Sequence, residues 1–394
     1  MYLLPKPKTI KEQDGQMLLC HSTHIVMTKE VAETEMHAAK RLQEAIRQET
    51  GLILPFSVGE VREGDLSLGI AKTLPEQTYE ITIDEKGGQI SGGDGAGVLY
   101  GVETFCQIVQ QCGGILPCVQ IQDAPDMPNR GYYFDQTRGR VLKLEELKKI
   151  ADRMCRYKLN QLQLYVEHTY LFRDFSEMWR DQTPLTAEEI RELDSYCRER
   201  HIELVPSLAS FGHLCTLLST KTYGDLCEME DSWKEPFSFW NRMRYHTINV
   251  SDERSLPLIK KMIAEYMQLF SSNKFNICAD ETFCLGKYKS KKLAEERGVH
   301  RLYIDYVKEL AQFLVENGKI PMFWGDIIWN SPELMKELPE SMICLNWGYA
   351  PEQREDETRA IAQTGAVQYL CPGVCGWNQW ANLIENSYKN ITRM

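Results

Sequence analysis

From Arg130 onward the chain alternates two hydrophobic rhythms. Short apolar runs fall at 131–135, 160–166, 202–208, 275–279, 320–325, 342–346 and 366–370, each of strand length. Between them apolar residues recur at helical spacing. Leu144, Leu147, Ile150, Ala151 and Met154 form one such face; Leu258, Ile259, Met262, Ile263 and Tyr266 form another; Tyr306, Val307, Leu310, Phe313 and Leu314 form a third. Strands alternating with helices make βα units and a parallel sheet. Seven units in a row outrun most doubly wound sheets and predict an α/β fold of the (β/α)8 TIM-barrel type. The eighth unit is missing from this count: after the seventh strand there is room for one helix, roughly 379–392, before Met394. Strands one and seven are therefore expected as edges.

The N-terminal third has another pattern. Ala32 to Thr50 carries Ala39, Leu42 and Ile46 on one helical face. Tyr79-Glu80-Ile81-Thr82-Ile83-Asp84 alternates strictly, which predicts a strand with one buried face. Val98, Leu99, Val102, Phe105, Cys106 and Val109 return to helical spacing. The run Gly92-Gly93-Asp94-Gly95-Ala96-Gly97 before that helix lacks the Lys-Ser/Thr of a P-loop and fits no Gly-x-Gly-x-x-Gly register. It reads as a strand-to-helix turn, not a nucleotide site. Residues 113–129 carry three prolines and two glycines and read as a connector. The expected organisation is a small α/β domain over 1–125 and a barrel over 126–394.

Composition narrows the partners. A net charge of −11 argues against a nucleic-acid or anionic-membrane partner. No apolar run has the length of a membrane span, and the N-terminus lacks a signal-type apolar segment. The 13 cysteines are an odd number, and Cys106, Cys155, Cys278 and Cys344 sit inside core patterns. That usage reads as reduced thiols and a cytoplasmic location. Cys371…Cys375 and Cys112…Cys118 lack zinc-pair partners, so no metal and no cofactor is expected.

Candidate chemistry gathers where the strands end. Phe275-Asn276-Ile277-Cys278-Ala279 runs into two adjacent carboxylates, Asp280 and Glu281. In a parallel barrel the C-terminal strand ends share one mouth. Asp135, Arg138, Tyr165, Glu167, His168, His213, Trp324, Asp326, Trp329, Asn346, Trp347, Tyr349 and Tyr369 are placed there too, with Trp377 and Trp380 close behind. Aromatic faces stack on sugar C–H faces, and acids and arginine bind hydroxyls, so the set predicts a small-molecule carbohydrate pocket. The insert between about 209 and 252, with Trp233, Trp240, Tyr245 and His246, is long enough to expect a functional role.

In this order these residues resemble family-20 glycoside hydrolases, the β-N-acetylhexosaminidases, over essentially the whole chain. Tyr79-Glu80-Ile81 and Gly97-Val98-Leu99-Tyr100-Gly101-Val102-Glu103-Thr104-Phe105 resemble the end of that family's accessory domain. Arg130-Gly131-Tyr132-Tyr133-Phe134-Asp135-Gln136-Thr137-Arg138 resembles its first barrel strand, and Asn160-Gln161-Leu162-Gln163-Leu164 its second. Pro206 with Phe211-Gly212-His213 resembles the third, and Ala279-Asp280-Glu281 falls at its Asp-Glu signature. The resemblance implies retaining, substrate-assisted hydrolysis of terminal β-linked N-acetylhexosamine through an oxazolinium ion. It implies that Asp280 orients the substrate's acetamido group and that Glu281 is the acid/base. It further implies that Arg138 holds sugar hydroxyls, that His213 lies near Glu281, and that Trp324, Trp347 and Trp329 wall the acetamido pocket. Tyr369 matches the family's seventh-strand tyrosine, and Glu167, Asp326 and Trp377 are carried as further substrate-binding candidates. The chain departs from the pattern at Tyr165, at Glu167-His168, at Ser207 and at Leu370-Cys371, and in lacking the eighth strand. Two other readings stay open. One is an inactive or sugar-binding truncated barrel. The other is an unrelated (β/α)8 enzyme pairing Glu281 with Glu167 or Asp326.

Overall fold

The computed structural model describes residues 1–236, 238–353, 355–374 and 381–394. Trp377 and its neighbour Trp380 lie outside the described residues, as does the start of the helix expected over 379–392. The chain forms two compact units. One comprises Met1–Tyr132, Lys143–Leu162 and Glu192–Leu204; the other comprises Tyr133–Leu142, Gln163–Arg191 and Val205–Met394.

The first unit contains a seven-stranded mixed sheet. In chain order its strands are β1 (Thr9–Leu18), β2 (Ile25–Met27), β3 (Phe56–Val58), β4 (Leu66–Ile70), β5 (Tyr79–Asp84), β6 (Gly87–Gly92) and β7 (Ile115–Asp123). Their spatial order is β1-β7-β5-β6-β4-β2-β3. The alternation read at 79–84 is real: Tyr79, Ile81 and Ile83 are buried. The helix Gly95–Cys112 is capped by Asp94, whose side chain accepts the Gly97 N–H at 2.7 Å. A Cβ on Gly93 would lie 1.9 Å from the Pro75 carbonyl oxygen, so the glycine run serves close backbone approach. The helix is so deeply packed that Glu103 is buried, and Arg41 of the helix Met36–Thr50 pairs with it at 2.8 Å.

The connector expected over 113–129 is corrected: it contains β7, which pairs antiparallel with both β1 and β5. Pro117 masks this strand in the sequence. It sits where the β1 register shifts between Glu12 and Gln16, and β5 pairs only with residues 119–123. A missing N–H is tolerated at such a bulge.

The second sheet is parallel along its last five strands. Its strands are β8 (Gly131–Asp135), β9 (Gln161–Val166), β10 (Glu203–Leu208), β11 (Lys274–Asn276), β12 (Ile320–Trp324), β13 (Ile343–Gly348) and β14 (Val367–Pro372), in sequential order. These are the seven expected strands, within two or three residues of the expected ends. Sequential parallel strands with intervening helices such as Val299–Glu316 are the βα repeat that the rhythm predicted. β9 is buried along its whole length, as a strand covered on both faces must be. Among the described residues β8 and β14 stand at the two ends of the strand order, and Val367 and Leu370 of β14 are exposed. No described helix is long and apolar enough to cross a membrane. The twelve described cysteines are free thiols, eight of them buried.

Candidate active site

β11 stops earlier than its apolar run. Asn276, fully buried, accepts the Cys278 N–H on Oδ1 at 2.8 Å, which bends the chain out of the extended form. Cys278 (φ 58°), Ala279 (φ 63°) and Glu281 (φ 49°) then adopt the left-handed conformation. For residues with a Cβ this costs about 1–2 kcal/mol each, so the surroundings must hold them there. Ser210 Oγ donates to the Ile277 carbonyl at 2.5 Å, the Trp324 N–H to Cys278 at 2.9 Å, and Tyr303 Oη to Ala279 at 3.1 Å. The Glu281 N–H donates to Asp326 Oδ2 at 3.0 Å. Gly212 lies against this turn, where a Cβ would be 2.5 Å from the Asp280 carbonyl oxygen.

The turn has a chemical consequence. Successive strand residues point to opposite faces, yet here both carboxylates reach one imidazole. His213 Nε2 is 3.4 Å from Asp280 Oδ2 and 3.3 Å from Glu281 Oε2, and the ring side chain is only 2% exposed. Burial alone would lower the imidazole pKa; the charge of Asp280 and the hydrogen bonds to Asp280 and Glu281 overcome it and push it up to about 10. His213 is thus an imidazolium at neutral pH. Asp280 responds in kind. Burial acts to raise its pKa, but His213 and then Arg138 hold it below the ordinary aspartate value.

Beside this group, Arg138 Nε donates to Asp135 Oδ2 at 2.7 Å, and its guanidinium lies over the Tyr165 ring, 4.7 Å from the centroid. Asp135 Oδ1 in turn accepts the Thr137 and Arg138 N–H groups, each at 2.9 Å, which fixes the turn after β8. Glu167 is buried beneath. It accepts from Tyr165 Oη at 2.9 Å and from Arg242 Nη2 at 3.1 Å, and lies 3.8 Å from Arg138 Nε. Burial opposes its ionisation, but Arg138 and Arg242 win and hold its pKa below the usual glutamate value.

The aromatic residues divide by strand parity. Paired residues of parallel strands share a face, so the pairings Asn276↔Met322 and Trp324↔Leu345 carry the face of Ser207 and Asn276 on to Trp324, Trp347 and Tyr369. Trp324 packs edge-on against Tyr133 at 4.9 Å between centroids, and Tyr133 Oη reaches Ser207 Oγ at 3.1 Å. Trp347 lies 5.1 Å from the Tyr349 ring. The Tyr349 ring is half exposed, while burial at its hydroxyl end and then the charge of Asp280 push its phenol up to about 12.

Residues 1–124 match the model for glycosyl hydrolase family 20, domain 2, and residues 128–382 match that for the glycosyl hydrolase family 20 catalytic domain. The chain belongs to glycosyl hydrolase family 20. A β-hexosaminidase of Porphyromonas gingivalis is 24% identical over 411 residues, covering 95% of this chain and 50% of that protein. One of Vibrio furnissii is 26% identical over 310 residues, covering 71% of this chain and 48% of that protein. This family-20 chain therefore spans about half the length of these relatives. A mutant Streptomyces plicatus β-hexosaminidase in complex with its product GlcNAc matches with a TM-score of 0.80 at 18% identity, covering 98% of this chain and 80% of that one. The β-N-acetylhexosaminidase of Bacteroides fragilis matches at 0.75 and 18%, covering 93% and 74%. These structures bear out the expected family fold, a TIM barrel preceded by a small α/β domain.

Within this family-20 site the expected residues fall into three groups. Asp280, Glu281 and His213 are in contact, and Arg138 adds its charge to that of His213 on Asp280. Trp324, Trp347 and Tyr369 share the face described above. Glu167 and Asp326 are placed behind, holding Arg138 and Glu281. Trp329 is taken elsewhere: its Nε1 donates to Asn346 Oδ1 at 2.9 Å, on the face of β13 opposite Trp347. Trp377 lies outside the described residues. Arg242 and Met243 were not singled out. They come from the helix Phe239–Arg244 inside the long insert, and Met243 Sδ lies 3.2 Å from Arg138 Nη1. Only the insert's length signalled them.

Proposed function

We propose that the chain is a retaining exo-β-N-acetylhexosaminidase that releases terminal GlcNAc or GalNAc by substrate-assisted catalysis. One observation carries this reading: Asp280 and Glu281, adjacent in sequence, are turned to one side and share the His213 imidazolium. Most retaining glycosidases use two carboxyl groups as nucleophile and acid, about 5–5.5 Å apart, whereas family 20 uses the substrate's own acetamido oxygen. In the proposed reaction that oxygen attacks the anomeric carbon as the bond to the leaving oxygen breaks. Glu281 gives the leaving oxygen its proton. Asp280 accepts the acetamido N–H and balances the positive charge that grows on nitrogen, a role suited to a carboxylate kept ionised by His213 and Arg138. Water then opens the oxazolinium ion, and Glu281 takes the proton back. Arg138 holds sugar hydroxyls, and Trp324 and Trp347 give the methyl group apolar walls. The names of the relatives and the GlcNAc bound by the Streptomyces structure support this class of substrate. The free buried thiols support a reducing, cytoplasmic setting.

A second reading, sugar binding without turnover, rests on β8 and β14 standing at the two ends of the second sheet's strand order among the described residues. Release of chromophore from an aryl N-acetyl-β-glucosaminide separates the two. The mechanism is tested with a GlcNAc-thiazoline, which mimics the cyclised intermediate. It should inhibit the wild type strongly and Asp280→Asn much less, with kcat of that variant down about 10²–10³-fold. Covalent labelling of any carboxylate by a fluorosugar would refute the reading.

A further inference from the structure

We propose that Asp326 is a positioning residue, whose carboxyl grips the Glu281 backbone N–H and keeps that residue in its left-handed conformation. The inference rests on the hexosaminidase reading for its kinetic consequence but not for its structural one.

Four observations point to it. Glu281 is one of four non-glycine residues at this site with positive φ, with His213, Cys278 and Ala279. Of the turn's holds from other elements, those on Ile277, Cys278 and Ala279 act on carbonyl oxygens, while within the turn Asn276 Oδ1 accepts the Cys278 N–H. Asp326 holds the N–H of the acid/base residue itself, at 3.0 Å. Asp326 also stands on a rigid post. It follows β12 directly, the Gly325 N–H donates to the Leu345 carbonyl at 2.8 Å, and a Cβ on Gly325 would lie 2.5 Å from Asn346 Oδ1. Its other oxygen, Oδ1, is buried with no partner among the described residues. One oxygen is spent on Glu281 and the other is covered, which leaves none turned toward a sugar.

The protonation state follows from the neighbours. Burial and then the charge of Asp280 push the Asp326 carboxyl well above the usual aspartate range, against the pull of the Glu281 N–H that it accepts. A protonated carboxyl and a carboxylate can both accept the Glu281 N–H, so the contact needs an acceptor oxygen and not a charge. A neutral isostere should then serve as well. Asparagine keeps an acceptor oxygen in the same place; alanine removes it.

The test compares Asp326→Asn and Asp326→Ala in the 394-residue chain by two measurements. The first is amide hydrogen exchange of peptides spanning 278–283, read without substrate. Asp326→Ala should exchange at least tenfold faster there and Asp326→Asn within threefold of wild type. The second is turnover of an aryl N-acetyl-β-glucosaminide. Asp326→Ala should lose at least tenfold in kcat with KM within threefold, while Asp326→Asn stays within threefold of wild type in both. Unchanged exchange in Asp326→Ala overturns the proposal, and so does a loss in Asp326→Asn equal to that in Asp326→Ala, which a charged or sugar-binding role requires. Should Asp326→Ala fail to fold, Asp326→Ser is read in its place against the same limits. A wild type without turnover would refute the hexosaminidase reading, and the exchange comparison would still decide the grip.

Discussion

Replacing His213 with asparagine should change how stability depends on pH. Asparagine is the substitution of choice because His213 has φ 59°, and asparagine tolerates that region better than most residues. In the wild type the imidazole pKa is raised from 6.5 to about 10 in the folded state. Below pH 6.5 folded and unfolded chains both hold the proton, and the stabilisation is fully present. Between 6.5 and about 10 only the folded chain holds it, so stability falls by about 1.4 kcal/mol for each pH unit. Across the whole window the loss is on the order of 4–5 kcal/mol, a large share of the roughly 5–15 kcal/mol of a typical domain. The side chain is almost fully buried, so solvent screening removes little of this. Asp280 is the other half of the same ion pair. Its lowered pKa makes stability that is present above its unfolded pKa and lost as pH falls through the folded one. Urea unfolding followed by tryptophan fluorescence at pH 7, 8 and 9 reads the effect, and the ionisation of unfolded cysteines over this range is common to both proteins and cancels in the comparison. The wild-type free energy should fall by about 2–3 kcal/mol more than that of His213→Asn over those two units. Parallel pH dependences would show that His213 does not carry a proton between the carboxylates, and the charge assignment of the site would fall with it.

Other outcomes follow from the same geometry. Glu281→Gln removes the proton donor and keeps the shape, so turnover of substrates with poor leaving groups should drop by roughly 10²–10⁴-fold. Activated aryl glycosides should suffer less, and equal losses in steady-state kcat would argue against Glu281 as the acid. Gly212→Ala puts a methyl group 2.5 Å from the Asp280 carbonyl oxygen, so a thermal melt should show about 1–3 kcal/mol of destabilisation. An unchanged melting temperature would mean that the turn can retreat. The proposed steps use carboxyl groups and the substrate's amide, so EDTA should leave turnover intact; loss restored by a divalent ion would count against them.

The order of strands and helices was legible in the sequence because burial on both faces demands near-continuous apolar runs, as at 320–324 and 342–346. The first sheet was less legible. β2 and β3 are three residues each, too short for a periodic signal, and β7 was hidden by Pro117 at a bulge. The adjacency of Asp280 and Glu281 was visible as a motif, but adjacency in a strand would have sent them to opposite faces. What brings them to one imidazolium is a left-handed turn made by Cys278, Ala279 and Glu281, none of which has a propensity for it. Asn276 bends the chain locally, and Ser210, Tyr303, Trp324 and Asp326, from four other places in the chain, satisfy the turn's remaining backbone groups. Likewise, the residue types at Glu167, Asp326 and Trp329 marked them as polar or aromatic groups at strand ends. Which of them face the carboxylates is a matter of parity and loop path. Sequence alone set the elements and the chemical inventory through local periodicity, while long-range hydrogen bonds and burial decided which groups meet and which of them carry charge.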